Sequence, residues 1–301
     1  MKIAILLTAY NGERYIKQQI ESLLKQTFKG FDLYIHDDCS TDGTFQIVEE
    51  FAAQYGNIYV SRSEENSGNA SKAFFELIKK VQGYDYYFLC DQDDVWFEDK
   101  IEVSLEAIAD NVPMLLHTDL TVTDGGLNIT AQSYRELMAA DFCRTALNNL
   151  IVQNIATGCT CVYNEKLRQI IRVPEFCVMH DWWLAIIASA FGRLWHTSRQ
   201  TMYYRQHESN SVGASDVKSI KFKVNNLLHN EKIKTALAGS YKQAAEFARL
   251  YDDMLSEEQR AVVWGYASTA DKRKLGRAAN VIKLKTMKTG ASRKIAQIIN
   301  I

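Results

Sequence analysis

Ile3-Ala4-Ile5-Leu6-Leu7-Thr8-Ala9-Tyr10-Asn11 opens the chain with an aliphatic run of strand length that breaks into a polar cluster. The run is too short to span a membrane, and Asn11-Gly12-Glu13-Arg14 follows at once, so it reads as a first strand rather than a signal peptide. Outward from it the same alternation repeats. Tyr15–Lys25, Thr44–Tyr55 and Ser71–Val81 have helical spacing, while Leu33–His36, Ile58–Val60 and Tyr86–Cys90 have strand composition. Strands alternating with helices predict an α/β fold with a mostly parallel sheet covered on both faces. Such sheets bind ligands at the carboxyl ends of their strands, which singles out Thr8–Asn11, Asp37–Asp42, Asn66–Gly68 and Asp91–Asp94.

Beyond residue 112 the pattern turns irregular, with short strand-like pieces, an Asp124-Gly125-Gly126 turn and a tryptophan-containing helix from about Asp181 to Phe191. From Asp216 onward nearly everything reads helical. A 47% hydrophobic, 24% charged composition excludes disorder and fibre, and two prolines with 15 glycines exclude collagen-like and low-complexity readings. The six cysteines form no CxxC pair and lie mostly in apolar runs, as free thiols of a reducing, cytoplasmic compartment do. Leu184–Phe191 is the best apolar stretch and is far short of a membrane span. Residues 272–301 hold nine Lys and Arg and no Asp or Glu; with −1 on the whole chain, residues 1–271 carry −10. An acidic body argues against a nucleic-acid partner, and a basic amphipathic tail predicts peripheral contact with an anionic membrane.

Two acidic clusters carry the chemistry. Asp38, Ser40, Asp42, Gly43 and Glu49 have the spacing of an EF-hand calcium loop, yet Phe31–His36 before them has strand composition where an EF-hand needs a helix. A strand, a turn and a helix start capped by Ser40 or Asp42 is the expected structure. Asp91-Gln92-Asp93-Asp94 ends the run Tyr86–Cys90. Like charges crowd there, either in a solvated turn or around a hard divalent cation whose shell a substrate's phosphates complete. Neither Gly-x-Gly-x-x-Gly nor Gly-x-x-x-x-Gly-Lys-[Ser/Thr] occurs, which disfavours dinucleotide and P-loop enzymes. A nucleotide-sugar enzyme and a non-catalytic calcium- or nucleotide-binding module remain.

Taken in order, these residues resemble the family 2 inverting glycosyltransferases with the GT-A fold. Thr8-Ala9-Tyr10-Asn11 resembles the first-strand nucleotide motif, and His36–Gly43 resembles Asp-Asp-Gly-Ser-x-Asp with Cys39 in the usual glycine place. Asn66-Ser67-Gly68 matches Asn-x-Gly, and Asp91-Gln92-Asp93-Asp94 matches Asp-x-Asp. The resemblance implies that Thr8, Ala9, Tyr10 and Asn11 meet the base and ribose and that Asp38 or Asp37 accepts the pyrimidine N–H. It further implies Asn66 and Gly68 in the nucleotide loop, Lys72 on the phosphates, Asp91 and Gln92 at the ribose, and Asp93 with Asp91 on Mg or Mn.

Further along, Gln153–Cys159 followed by Met179-His180-Asp181-Trp182-Trp183 resembles the rhamnosyltransferase-like branch, in which the residue matching Asp181 is the catalytic base. From the residues alone Asp181 is equally a helix N-cap, and Trp182 and Trp183 are either core or platforms for a sugar. Tyr204–Asn210 resembles a segment that closes over the donor, with His207 a third metal ligand, a phosphate contact or a plain loop histidine. Trp96, His180, Trp182, Trp183 and Arg205 are the expected sugar contacts.

The expected organisation is a GT-A domain over 1–215, with a nucleotide-sugar half (1–95) and an acceptor half (96–215), followed by a helical region over 216–301. The expected activity is metal-dependent transfer of one sugar, L-rhamnose from dTDP-rhamnose or a hexose from UDP, onto a saccharide acceptor that is free or lipid-linked. Such an acceptor is a precursor of a surface polysaccharide.

Overall fold

Ile3, Ile5, Leu6 and Leu7 are wholly withdrawn from water, each burial stabilising by about 1.5–3 kcal/mol, so the opening strand forms the middle of the sheet it nucleates. The computed structural model describes residues 1–109, 111–139, 141–207 and 230–301. Among them, strands β1 (Ile3–Ala9), β2 (Phe31–Asp37), β3 (Ile58–Arg62), β4 (Tyr86–Asp91), β5 (Val95–Trp96), β6 (Met114–Thr123), β7 (Ile129–Ala131), β8 (Cys161–Asn164) and β9 (Arg193–Arg205) form one mixed sheet. Its order is β3-β2-β1-β4-β8-β6-β9-β5, with β7 on β6.

Helices α1 (Ile16–Leu24), α2 (Thr44–Gln54), α3 (Ala70–Lys80) and α4 (Lys100–Ala107) follow β1, β2, β3 and β5. Ile16, Ile20 and Leu23 recur at helical spacing and are fully buried, which is why this segment coils where it does. Pairing is parallel from β3 through β4, as the alternation predicts, and antiparallel at β4–β8, β8–β6, β6–β7 and β9–β5.

The irregular reading of residues beyond 112 is corrected, since β6 and β9 are the longest strands described. Every residue of β6 is buried, but its inward polar groups hide the pattern: Thr118 bonds Thr201 at 2.7 Å, and Asp119 accepts from Ser133 at 2.6 Å. The calcium-loop alternative is likewise removed, because β2 enters the loop as a strand and the Asp42 carboxylate accepts from Thr44 N–H at 3.0 Å, at the start of α2.

The chain divides into two units. The first holds Met1–Tyr134, Thr157–Ile170 and the described part of Trp195–Ala214, and contains the sheet. The second holds the described parts of Arg135–Ala156, Ile171–Leu194 and Ser215–Ile301. It is built from α5 (His180–Phe191), α6 (Asn230–Tyr251), α7 (Glu257–Ala267), α8 (Lys274–Lys283) and α9 (Ala291–Asn300), with shorter turns between. Helix α5 is apolar nearly all round because it is buried nearly all round, and α6 buries Tyr241, Ala244, Phe247, Ala248 and Tyr251 along one stripe. Ser256 and Gln259 form a reciprocal capping box that starts α7. No described helix is long and apolar enough to cross a membrane. No disulfide joins the six cysteines; Cys90, Cys159 and Cys161 are buried, whereas Cys143 is exposed.

Candidate functional site

Parallel register sets Thr8 level with His36 on one side and Asp91 on the other, and Ala9 level with Asp37, so the strand-end motifs meet along one rim of the first unit. Gln92 clamps the rim by accepting from Tyr10 N–H at 2.8 Å and donating to Tyr10 C=O at 2.9 Å. Gly12 leaves room for this clamp, since a Cβ there would lie 2.1 Å from Gln92 Oε1 and would displace the amide. Asn11 N–H donates to Ser40 Oγ at 2.9 Å, and Thr41 N–H donates to Asn11 Oδ1 at 2.8 Å, tying the ends of β1 and β2 together.

The two adjacent carboxylates of that loop are held differently. Asp37 is fully buried, accepts from Ser40 N–H at 3.0 Å and pairs with Arg62 Nε at 3.1 Å, while its Oδ1 has no hydrogen-bond partner among the described residues. Asp38 accepts from Ser67 Oγ at 2.7 Å and Ser67 N–H at 3.0 Å, and its carbonyl accepts from Asn66 Nδ2 at 2.9 Å. Gly68 closes this loop at φ +66°, a left-handed conformation that favours glycine. Lys72 is exposed in the first turn of α3, after the cap that Asn69 Oδ1 makes with Ser71 N–H at 2.8 Å.

Cys39, in the family's glycine place, is held at φ +63°. A side chain there costs roughly 1–2 kcal/mol, and glycine returns part of that through its looser unfolded chain. Cys39→Gly is therefore expected to stabilise the fold by about 0.5–1 kcal/mol in urea unfolding. A lower midpoint in the variant would contradict this.

At the end of β4, Asp93 Oδ2 meets His207 Nε2 at 2.8 Å, and the His207 ring stacks on Tyr15 with centroids 4.8 Å apart. Asp94 is buried, accepts from Arg205 N–H at 3.1 Å, and lies with Asp91 and the buried Cys159 so that their ligating atoms fall within 4.8 Å of one another. Burial, reinforced by the charges of Asp93 and Asp91, pushes the Asp94 carboxyl well above the carboxylate range, and burial likewise raises the Cys159 thiol. Asp93 and His207, in contact here, and Asp91 offer two carboxylates and an imidazole, donor types that suit Mg or Mn.

All five expected sugar contacts are buried. Trp96 is 3% exposed, with Lys100 Nζ 4.6 Å and the Phe88 ring centroid 5.9 Å from its own ring centroid. Arg205 gives Nε to Asp93 C=O at 2.8 Å, Nη1 to Gly125 C=O at 2.8 Å and Nη2 to Gln18 at 2.7 Å, so its fork is engaged in bracing the rim.

In the second unit Trp183 is wholly buried against Phe247 and Tyr251, and Trp182 donates its Nε1–H to Leu150 C=O at 2.5 Å. His180 is buried too, which pushes it down to about 3 and keeps it neutral. Asp181, 6% exposed, lies in the first turn of α5 and accepts from Asn154 Nδ2 at 3.1 Å and from Trp182 N–H at 2.6 Å. The cap position belongs to Met179, so Asp181 is not the N-cap. Glu208, Ser209 and Asn210 of the donor-closing segment, and the boundary expected near 215, lie outside the described residues.

Sequence reading missed Arg62, Tyr15 and Gln18, and it quoted Ser67 within a motif without giving it a part. Arg62 ends β3 at the carboxyl edge, where the strand-end rule would have found it; the others act through contacts with residues distant in sequence.

Residues 4–170 match the profile of glycosyl transferase family 2, and the chain belongs to that family: it is a glycosyltransferase with the GT-A fold. It is 31% identical over 255 residues to the dTDP-rhamnosyl transferase RfbG of Shigella flexneri, spanning 77% of this chain and 84% of that one. Its fold resembles that of Staphylococcus aureus TarS 1-349, solved in complex with UDP-GlcNAc (TM-score 0.58, 19% identity, 100% of this chain and 89% of that chain). It also resembles the mannosyltransferase PcManGT from Pyrobaculum calidifontis, solved in complex with GDP-Man and Mn2+ (TM-score 0.58, 15% identity, 99% and 86%). Family, fold and enzymatic class agree with the sequence reading, and the non-catalytic module is set aside.

Proposed function

We propose that this glycosyltransferase moves one L-rhamnose from dTDP-rhamnose to a hydroxyl of a surface-polysaccharide precursor, at the cytoplasmic side, inverting the anomeric carbon. The reading rests on the gathering of Thr8, Asp37 and Asp91 at one rim, and the choice of sugar rests on the likeness to RfbG. Thr8, Ala9, Tyr10 and Asn11 hold base and ribose. Asp37 or Asp38 accepts the base N–H, with Asn66 and Gly68 shaping the loop and Lys72 on the phosphates. Asp91 and Gln92 orient the ribose, and Asp91, Asp93 and His207 hold Mg or Mn. When bound, that cation supplies charge neutralisation to the diphosphate. Asp181 accepts the proton of the attacking hydroxyl, and the neutral His180 beside it adds no competing charge.

A panel of dTDP-rhamnose, UDP-glucose, UDP-GlcNAc and GDP-mannose, read by protection against unfolding, tests the donor. A ligand at 100 times its dissociation constant stabilises by about 2.7 kcal/mol, and dTDP-rhamnose is expected to reach that at the lowest concentration. Protection by a UDP-hexose with none by dTDP-rhamnose would replace the rhamnose reading with a UDP-hexose one.

A further inference from the structure

We propose that α8 and α9 form a docking surface for an anionic lipid bilayer. Each helix is amphipathic twice over. On α8, Val281 is fully buried and Asn280 Nδ2 bonds Gly265 C=O and Thr269 Oγ1, both at 2.7 Å, so one face is committed to the second unit. Away from that face, Leu275 (86% exposed), Ala279 and Ile282 (62% exposed) follow at spacings of four and three, a single aliphatic stripe in water. On α9, Ala296, Gln297 and Asn300 are buried, while Ile295 and Ile299, one turn apart, are about half exposed.

Charge names the occupant. Lys272, Arg273, Lys274, Lys283, Lys285 and Lys294 are exposed, with no acidic residue anywhere in 272–301 to balance them. Arg277 and Arg293 are tied to backbone carbonyls and Lys288 is only partly exposed, so the outward cations are those flanking the aliphatic stripes. The rest of the chain is at −10 and repels anionic surfaces. Cations alone would suit any acidic partner; cations flanking exposed aliphatic side chains suit headgroups with acyl chains beneath them.

The turn between the helices gives the surface a place in the chemistry. Thr289 N–H donates to Gln153 Oε1 at 2.9 Å and Gln153 Nε2 donates to Thr289 Oγ1 at 3.0 Å, while the next residue, Asn154, is the partner of Asp181. The docking helices are thus joined to the segment that orients Asp181. Bilayer binding itself does not depend on the donor reading.

The test is sedimentation of the full chain with vesicles of equimolar phosphatidylglycerol and phosphatidylcholine, against phosphatidylcholine alone. Wild type is expected on the anionic vesicles only, and to be released at high salt. Leu275→Ser with Ile282→Ser should weaken binding by about tenfold or more, from lost apolar burial. Lys272→Ser, Lys274→Ser and Lys283→Ser together should weaken it on the order of a hundredfold, about fivefold per cation. Each variant should keep the nucleotide-sugar protection of wild type, which shows it folded and separates this result from the donor assignment. Equal binding to neutral vesicles, or an aliphatic variant as tight as wild type, would overturn the proposal, the latter in favour of an acidic protein partner.

Discussion

Asp181→Asn is expected to lower turnover by about 10²- to 10⁴-fold and to leave nucleotide-sugar binding nearly unchanged, the range that a positioned general base contributes. An alcohol is a weak nucleophile until it sheds its proton, so a carboxylate must lie within hydrogen-bonding reach as the hydroxyl attacks. Asp181 is suited to that work: a side chain 6% exposed, oriented by Asn154, in the first turn of a helix whose N-terminal dipole favours the carboxylate form. The Asn amide oxygen can still accept from Asn154 and from Trp182 N–H, so the variant keeps the local structure and loses only basicity. Steady-state and single-turnover rates with the same donor check this. Near wild-type turnover with chemistry rate-limiting would reduce Asp181 to a structural carboxylate. The search for the base would then turn to exposed carboxyls such as Glu98 ahead of Asp94, which is enclosed.

The first half of the fold is legible because a parallel strand buried on both faces must be apolar along its length, and the helices that cover it must carry one apolar stripe. Strands β1 to β4 and helices α1 to α3 therefore fall within a residue or two of their expected ends. β6 obeys a different rule. Its His117, Thr118, Asp119, Thr121 and Thr123 are buried polar groups, and bonds to Thr201, Ser133, Gln132 and Tyr204 are made by residues eleven or more positions away, which no local pattern reveals.

The site divides in the same way. Carboxylates at strand ends were readable, because register places strand ends. The fates of Trp96, Trp183 and Arg205 were not, because a ring becomes core or platform according to what packs on its faces. For Trp183 that is Phe247 and Tyr251 of α6, and for Arg205 it is three acceptors from three separate segments.

Asp93→Ala is expected to abolish the dependence of nucleotide binding on Mg or Mn and to weaken that binding on the order of 10²-fold, about 2.8 kcal/mol. Asp91 and Asp93 bring like charge to the place where a nucleoside diphosphate brings more, so without an intervening cation they repel the very ligand the rim is shaped to hold. The variant stays folded for a reason visible in the bonding. Arg205 grips the backbone carbonyl of Asp93, which alanine keeps, and the side chain's described partner is the His207 ring, which remains stacked on Tyr15. Titration calorimetry with dTDP, in Mn and in chelator, separates the terms. Wild type should lose affinity in chelator and the variant should be indifferent to it. Equal wild-type affinity in both would mean that the rim binds its diphosphate through Lys72 and backbone N–H groups alone, and that Asp93 and His207 form a structural pair.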